Sequence, residues 1–425
     1  MDIRRMIVTG ILGGERFDYY VTKDGNDTSG NGSRETPWLT IKKALTTIPI
    51  GGGTVIGVGA GVYAENSGSG YLSITKAYTR MVTIKPLPGA SVTLTNASGA
   101  YALFITGANA NFTFQNINIL AANGTTYTIY PYSNNAVQTG ICFVNCNITS
   151  DPTTDDCRLF QPEIYQTPVI NYTFKNCTMT SEFTGAHAAI NLANVPVNVT
   201  VNFANCTMVC EIRLGLVFYG GTINIDGGSY SSEALAVRVG VDGTTLTTTL
   251  GHALNMLVSS GGTHGILIGG GCLNFEAAYN TINSTGEVVL KGGTGTLFHH
   301  NTLNIGGSGY PALLMKGAIG AIVQYNTLIS QDGYGFINYD GDVTYQSQNC
   351  QITYNTISQV DGSDGVIYWV ADGDAGGNVI DYNQYSLPGT TWGNILGTTV
   401  TNLASARAAW SGYGDGTNDS HSTVV

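Results

Sequence analysis

The sequence predicts an all-β fold, a single-stranded parallel β-helix of at least ten coils, and three observations predict it. A six-residue motif with apolar ends recurs eleven times. Successive copies lie 21 to 31 residues apart, and each interval holds short β-branched runs broken by Gly, Asn or Asp. No helical periodicity interrupts this repeat. A repeat of such length without a helix is one coil of a solenoid, in which each strand pairs with its equivalent one coil away.

The fourth position of the motif is predicted to form an inward column. It reads Ile117, Cys146, Cys177, Cys206, Gly228, Asn255, Asn280, Asn301, Asn326, Asn355 and Asn383. Because equivalent positions stack about 4.8 Å apart, the asparagines are expected to chain their side-chain amides from coil to coil. The cysteines are small and apolar enough to stack inside. Neighbouring thiols in a column project in parallel, so we expect no disulfide between them.

Both ends of the solenoid are expected to be covered, because open strand edges aggregate. Thr36 is predicted to cap a helix that starts at Pro37 and places four apolar residues on one face: Trp38, Ile41, Leu45 and Ile48. Residues 403–410 have helix-forming composition and precede Gly412. The predicted organisation is an arm at 1–17, a first strand and capping helix at 18–50, the β-helix at 51–390, and a C-terminal cap and tail at 391–425.

Composition excludes several classes of protein. The chain has 28 acidic and 17 basic residues without a basic cluster, so it lacks the charge that binds nucleic acid. No apolar run approaches the roughly 18 residues of a membrane helix, and Thr9 and Gly10 interrupt the only N-terminal apolar stretch before a signal-peptide core forms. The eight cysteines contain no CxxC pair and no disulfide spacing. We therefore expect no nucleic-acid partner, no membrane partner and no metal ligand set.

Residues 19–45 (YYVTKDGNDTSGNGSRETPWLTIKKAL) and 61–65 (GVYAE) resemble the N-terminal segment of right-handed parallel β-helix proteins of the pectate-lyase-like superfamily. Trp410 and His421-Ser422 are similar to its C-terminal segment. The superfamily includes polysaccharide lyases, glycoside hydrolases and phage tailspikes. The resemblance covers about residues 18 to 422 and implies a right-handed β-helix with polysaccharide as its partner.

The activity motifs of the superfamily are incomplete. The polygalacturonase-like series Asn-x-Asp, Asp-Asp, Gly-His-Gly and Arg-x-Lys has partial echoes only, at Asp155-Asp156 and at Thr263-His264-Gly265. The Arg-x-Pro-x-x-Arg motif of pectate lyases and the Glu-x-Glu calcium pattern of alginate lyases are absent. The resemblance therefore implies a fold more strongly than an activity.

A column of carboxylates is the main candidate site. Asp151, Glu182, Glu211 and Glu233 each lie five residues past the inward column on four consecutive coils. Glycoside hydrolysis needs two carboxyl groups about 5 to 9.5 Å apart, which neighbouring coils span. We expect Glu211 and Glu233 to be catalytic and Asp151 and Glu182 to bind substrate. The alternatives are a solvated acidic stripe, or one that holds Ca²⁺ through oxygen ligands; no scheme requires a cofactor.

Cations follow on the same or later coils. Arg213 and Arg238 lie beyond two of the carboxylates, while Lys291 and Lys316 end equivalent strands. A lyase uses such cations as the base beside a uronate carboxylate and to stabilise the resulting anion. The alternatives are that they pair with the acids or contact a ligand.

A column of tyrosines is predicted to point outward. Tyr279, Tyr325, Tyr354 and Tyr382 each precede a column asparagine, and His300 fills the place between the first two. Since the asparagine points inward, its neighbour points outward. We expect Tyr279 and Tyr325 to stack on sugar rings; burial against another subunit and ordinary surface preference are the alternatives.

Three functions remain open. The first is a virion surface protein of tailspike or decoration type, a homotrimer anchored to other virion or tail proteins by its arm, that binds a polysaccharide with or without cleaving it. The missing signal peptide and the unpaired cysteines favour assembly in a reducing cytoplasm. The second is an extracellular polysaccharide lyase or glycoside hydrolase. The third is a structural or adhesive solenoid without an active site. Fold alone does not choose among them.

Overall fold

The computed structural model describes residues 15–51, 53–65, 70–106, 111–122, 124–134, 138–151, 157–165, 169–181, 188–192, 198–210, 214–240, 248–340, 347–362, 364–371, 377–410 and 419–425. It is a right-handed parallel β-solenoid of about ten turns, which confirms the predicted fold class. Neither of the two helices in the described part, seven and eight residues long, is long enough to cross a bilayer.

The strands form two sheets that run the length of the solenoid. In the part of the chain that the structure describes, sheet A has 26 strands and sheet B has 15. In a typical coil, two strands of sheet A are joined by a sharp turn, which we call the A turn, and a corner then leads to one strand of sheet B. Among the described residues, every strand pairing is parallel except the last one in sheet B, between Gly393–Ile395 and Thr398–Val400.

The strands of sheet A are Tyr19–Val21, Val55–Val58, Gly61–Glu65, Val82–Pro86, Val92–Asn96, Phe112–Gln115, Asn118–Leu120, Gln138–Val144, Asn147–Thr149, Ile170–Lys175, Thr178–Ser181, Val199–Cys210, Gly221–Ser232, Thr249–Leu254, Leu257–Ser260, Glu276–Ala278, Thr281–Ser284, Leu297–His299, Thr302–Ser308, Ile322–Gln324, Thr327–Asp332, Gln351–Thr353, Thr356–Gln359, Val379–Asp381, Gln384–Ser386 and Thr423–Val424. The strands of sheet B are Leu72–Ile74, Tyr101–Ile105, Tyr127–Asn134, Arg158–Phe160, Glu163–Tyr165, Ala188–Leu192, Leu214–Phe218, Leu235–Val239, His264–Ile268, Glu287–Lys291, Leu313–Lys316, Phe336–Asp340, Ile367–Ala371, Gly393–Ile395 and Thr398–Val400.

The interior is a set of stacked columns. The rings of Phe114, Phe143, Phe174 and Phe203 stack at 5.1 to 5.7 Å with interplanar angles of 8° to 12°. Next to them, Cys146, Cys177 and Cys206 are buried, and each thiol donates to a backbone carbonyl of the preceding coil at 3.3 to 3.4 Å. All eight cysteines are free, which confirms the prediction of unpaired thiols.

The asparagine column is hydrogen-bonded throughout, as predicted. Asn301 shows the pattern: its Nδ2 donates to Asn326 Oδ1 at 3.0 Å and to the Ala277 carbonyl at 2.9 Å. Its own Oδ1 accepts from the backbone and side-chain nitrogens of Asn280 at 3.0 and 2.9 Å. Because every amide donor and acceptor has a partner, the column is buried without the cost of unsatisfied polar groups.

The predicted register is wrong by one residue in a single coil. Ala253, not His252, pairs with Ala277. The inward position of this coil is therefore Met256, which is 2% exposed and donates its backbone N–H to Asn280 Oδ1 at 2.9 Å. Asn255 instead occupies the A turn, exposed and with a positive φ of 57°. Asparagine suits the left-handed turn as well as the inward column, so residue type alone did not fix the register.

The N-terminal helix starts later than predicted. Helix α1 spans Ile41–Thr47, and Thr40, not Thr36, is its N-cap, accepting from the Lys43 N–H. Pro37 lies before it in extended chain, because Trp38 forms a bridge with Val21 and donates its N–H to the Tyr20 carbonyl at 3.0 Å. Burial of the Trp38 ring thus prevails over the preference of proline for a first helical turn.

Helix α2 spans Leu403–Trp410, as predicted, and buries Ala406 and Trp410 against the last coils. Around it, the Asp419 carboxylate accepts from Tyr385 Oη at 2.7 Å, Ser422 Oγ at 2.8 Å and Trp410 Nε1 at 3.0 Å. Ser422 Oγ in turn accepts the Asn383 N–H at 2.9 Å. The C-terminal cap therefore terminates the asparagine column with hydrogen bonds.

Candidate functional site

The predicted site residues lie on two separate surfaces. Glu233 lies in the corner before sheet B, Arg238 lies on a sheet B strand, and Lys291 and Lys316 end two others. The tyrosines lie at the A turn, and a whole strand of sheet A separates them from sheet B in either direction along the chain. We call the outward side of sheet B the B face. Among the described acids and cations, Glu233 borders the B face and Arg238, Lys291 and Lys316 lie on its strands, whereas the tyrosines lie elsewhere.

Three predicted residues, Glu182, Glu211 and Arg213, lie outside the described residues. The register next to them is described: Ser181 pairs with Cys210, and Cys210 pairs with Ser232. The catalytic pair of Glu211 and Glu233 stays a prediction.

Asp151 is a nearly buried carboxylate, 2% exposed. Its Oδ2 accepts the backbone N–H groups of Gly124 and Thr125 at 2.8 and 3.2 Å. These bonds connect the corners of two successive coils. Glu233, by contrast, is exposed, and it lies three coils further along, about 14 Å in axial distance. Asp151 and Glu233 are therefore too far apart to act together on one bond.

A carboxylate that the sequence did not single out, Glu287, lies at the start of a sheet B strand. It pairs in register with His264, and its Oε1 is 3.5 Å from His264 Nδ1. The Glu287 side chain is 12% exposed and that of His264 28%. Burial raises the pKa of the Glu287 carboxyl to about 7, because an apolar setting disfavours the charged form. The sequence offered one indication of this site, the partial Gly-His-Gly motif at Thr263-His264-Gly265, because His264 is the residue that pairs in register with Glu287.

Glu233 lies on the same side of the solenoid as Glu287, at the corner of a coil that precedes it by two. Glu233 comes two residues before Leu235, which pairs with His264 in the next coil, and His264 pairs with Glu287 in the coil after that. The backbones at Glu233 and Glu287 are thus two coil spacings apart, about 10 Å along the axis. His264 lies in the coil between these two carboxyl groups.

On the B face, the strand Glu287–Lys291 changes from acidic to apolar to basic along its length. Beyond Glu287, Leu267, Val289 and Leu314 form an apolar cluster, together with Leu235, that is separate from the core. Lys291 and Lys316 then follow in register at the strand ends. Four residues separate Glu287 from Lys291, about 13 Å along a strand. In an earlier coil, the Arg238 guanidinium lies 5.3 Å above the Tyr219 ring.

The A turn carries a stack of rings that we call the aromatic ladder: Tyr279, His300, Tyr325, Tyr354, Tyr382 and His421. Successive centroids are 4.5 to 5.1 Å apart, with interplanar angles of 4° to 26°. The first five residues have left-handed φ values of 55° to 59°. Such a backbone costs roughly 1 kcal/mol for a non-glycine residue, and ring stacking returns about 0.5 to 1.5 kcal/mol. The ladder points outward, as predicted.

Pairs of histidine and carboxylate flank the aromatic ladder on sheet A. His252 Nε2 lies 3.0 Å from Asp226 Oδ1, and His299 Nε2 lies 3.0 Å from Glu276 Oε1. The Nδ1 atoms of His299 and His300 are 2.9 Å apart, because the left-handed turn at His300 brings two adjacent side chains to one side.

Within the described residues, no group of three or more His, Cys, Asp or Glu side chains is arranged to hold a metal ion. In the loop at 24–33, Asn26 Oδ1 accepts two backbone N–H groups and Asp27 caps the approach to α1 through Leu39 and Thr40. These side-chain oxygens already accept hydrogen bonds from backbone N–H groups of the loop and of the segment that leads to α1. A Ca²⁺ ion on the carboxylate column stays a prediction.

No protein-family model matches the chain, and no curated protein sequence matches it. Solved structures share its fold. The GH136 lacto-N-biosidase from Eubacterium ramulus is 12% identical and aligns over 87% of this chain and 68% of its own, with a TM-score of 0.43. The mannuronan C-5 epimerase AlgE6 A-module of Azotobacter vinelandii is 12% identical over 88% and 90%, with a TM-score of 0.38.

A mannuronic acid-specific polysaccharide family 6 lyase from human gut microbiota is 12% identical over 80% of this chain and 76% of its own, with a TM-score of 0.38. These structural neighbours are polysaccharide-acting β-helix enzymes, a hydrolase, an epimerase and a lyase. At such identities the likeness is one of fold and assigns no residue of the site.

Proposed function

We propose that the chain binds an anionic polysaccharide along the B face and cleaves it with Glu287 as the proton donor. The observation that supports this most directly is the largely buried Glu287 carboxyl, which lies beside His264. Its pKa of about 7 lets Glu287 hold a proton at neutral pH. General acids in polysaccharide cleavage are carboxyl groups with raised pKa values. A strongly shifted carboxyl group on an open face is more typical of a functional site than of a plain surface.

The cations of the B face account for the charge of the substrate. Lys291 and Lys316 lie in register, one coil apart, so their backbones are about 4.8 Å apart along the solenoid axis. Arg238 is anchored over Tyr219 in an earlier coil. Uronate carboxylates recurring along a polymer would meet these groups in succession, and the apolar cluster between them and Glu287 offers a surface for the sugar rings.

A second carboxyl group is needed for hydrolysis, and Glu233 is our proposal for it. The backbones of the two coils are about 10 Å apart along the axis, just beyond the roughly 6.5 to 9.5 Å found between the carboxyl groups of inverting glycosidases, so the two side chains would have to lean toward each other. Glu233 would activate the water while Glu287 protonates the leaving oxygen. In a lyase, the base would instead be a basic side chain at the strand ends, and the product would be unsaturated.

The test compares Glu287→Gln with Glu276→Gln. The second variant is a matched change, because Glu276 also pairs with a histidine but lies on sheet A and not on the B face. Reducing ends and unsaturated products are measured on polygalacturonate, alginate and glucuronoxylan. We expect Glu287→Gln to lower cleavage by at least about 100-fold and Glu276→Gln to leave it within twofold. Equal losses in both variants, or none in either, would contradict the assignment. Cleavage lost in Lys291→Ala alone would move the chemistry to the strand ends.

We also propose that the chain belongs to a virion surface, as a homotrimer attached through its arm. Support comes from the eight free thiols, which fit folding in a reducing cytoplasm followed by release through lysis. Light scattering gives the oligomeric state, and the neighbouring genes test the setting. A monomer encoded among glycan-uptake genes would favour the extracellular enzyme instead.

A further inference from the structure

We infer that the N-terminal end of the aromatic ladder is a second carbohydrate site, in which a neutral pyranose ring stacks on the open face of Tyr279. This site lies at the A turn, away from the B face. It goes beyond the proposed function, and it stands or fails independently of any cleavage.

Rings inside the ladder have no free face. Tyr325 lies between His300 and Tyr354, with both centroids 5.1 Å away and interplanar angles of 26° and 13°. It therefore presents only its edge and its hydroxyl group to solvent. A sugar that stacks on an aromatic residue needs the face of the ring, so the middle of the ladder is unsuited to such stacking.

Tyr279 differs because it is the first ring. His300 covers one face at 5.0 Å, with an interplanar angle of 22°. On the other side, the A turn of the preceding coil carries Asn255, and no ring among the described residues packs there. An asparagine side chain ends where a tyrosine ring begins, so it covers only the base of the ring. Consistent with this, Tyr279 is 54% exposed, against 44% to 47% for the three other tyrosines of the ladder.

One coil earlier the side chain at the A turn is absent altogether, because Gly227 occupies the turn with a φ of 72°. Asn255 and Gly227 together leave a notch two coils deep, about 10 Å along the axis. A pyranose ring stacked on Tyr279 occupies about one such spacing. The notch therefore has room for the ring and for the hydroxyl groups that extend from it.

The sides of the notch suit a neutral sugar. Leu257, next to the turn, is 48% exposed and supplies apolar contact. Asp226, paired with His252, and Glu276, paired with His299, supply carboxylate oxygens that accept from sugar hydroxyls. The sheet A strands from 221 to 308 contain no Lys or Arg. Since the nearby charges are acidic, a uronate would be repelled, in contrast to the cationic B face.

The test uses calorimetric titration with cellohexaose, xylohexaose and mannohexaose as neutral probes and hexagalacturonate as the anionic probe. All variants carry Glu287→Gln so that cleavage does not interfere. We expect at least one neutral probe to bind, and Tyr279→Leu to weaken its binding by about tenfold while Tyr279→Phe keeps it within threefold. Tyr325→Leu, the matched change inside the ladder, is expected to change binding less than twofold.

Four results would overturn the inference. Absence of binding by all three neutral probes would do so, as would equal losses in Tyr279→Leu and Tyr325→Leu, which would place the ligand along the ring edges. Displacement by hexagalacturonate that depends on Lys291 would place the ligand on the B face. Self-association lost in Tyr279→Leu would identify a second copy of the chain as the occupant. Failure of the B-face proposal appears separately, as unchanged cleavage in Glu287→Gln.

Discussion

The imidazole ring of His421 stacks on the phenol ring of Tyr382, with centroids 4.5 Å apart and an interplanar angle of 4°. Its Nδ1 is also 2.7 Å from Asp381 Oδ2. The next two residues add Ser422 to the asparagine column and pair Thr423 with Gln384. The tail at 419–425 therefore completes the A turn of one further coil, and it terminates the inward column and the outward ladder together.

The C-terminal cap is expected to make stability depend on pH. Burial raises the pKa of Asp419 to about 6, above its usual 3.8. Between these values the folded state binds more protons than the unfolded state. The free energy of unfolding therefore falls by about 3 kcal/mol as the pH rises from about 4 to about 6, and it is constant above that. Asp419→Asn should lack this component. Urea unfolding at a series of pH values, followed by tryptophan fluorescence, measures the free energy of unfolding of both proteins, because Trp369, Trp392 and Trp410 all lie near this cap. If the free energy of unfolding has the same pH dependence in the wild type and in Asp419→Asn, the prediction is wrong.

The two kinds of asparagine are expected to respond differently to substitution. Asn326→Ala removes the acceptor of the Asn301 backbone and side-chain donors, and it leaves Asn355 Oδ1 with only the backbone N–H of residue 326 as a donor. We expect a loss of about 3 kcal/mol in the free energy of unfolding. Asn255→Gly, in the exposed left-handed turn, should change it by less than about 0.5 kcal/mol. Urea unfolding of the two variants checks both expectations. A larger loss of stability for Asn255→Gly would indicate that Asn255, and not Met256, occupies the inward column.

Thiol reactivity is expected to follow burial. Seven of the eight cysteines are buried and Cys142 is half-buried. Burial raises the pKa of the Cys272 thiol to about 12, so no reactive thiolate forms there at neutral pH. Iodoacetamide should therefore modify at most Cys142 in the folded protein and all eight cysteines after denaturation, as measured by mass spectrometry. Fewer than eight modified sites in the denatured, unreduced protein would reveal a disulfide.

The pH profile of cleavage is expected to have a limb set by Glu287. A general acid must carry its proton, and its pKa is about 7. The rate should therefore fall about tenfold per pH unit above that value. Steady-state rates on the best polysaccharide measure the profile. A limb in which activity rises through pH 7 would assign Glu287 the role of base.

The N-terminal arm is expected to serve attachment. Its described end lies against the first coils: Glu15 is 3.2 Å from Lys85 Nζ, which lies 5.1 Å above the Phe17 ring. Deleting residues 1–14 keeps these contacts, so the melting temperature should change little while oligomerisation or attachment is lost. Thermal unfolding and light scattering test this; a large loss of stability would count against the arm.

Features that recur at one position in several consecutive coils could be predicted from the sequence. The solenoid, the amide column, the buried thiols and the outward rings each follow from one residue type at one recurring position, because stacking makes its neighbour above and below the same residue type. The C-terminal helix was predictable for a related reason, since its composition is local.

Contacts between unlike residues of different coils were decided by the tertiary structure alone. Coil lengths vary from 21 to 31 residues, so spacing in sequence does not reveal that His264 lies beside Glu287 or that Met256 takes the inward position. Trp38 is buried under the first coil, which delays the start of helix α1 to Ile41. The sequence by itself determined that the tyrosine column points outward at the A turn. Only packing decided that Tyr325 has both faces covered while Tyr279 keeps one open, because that depends on what the preceding coil places against each ring.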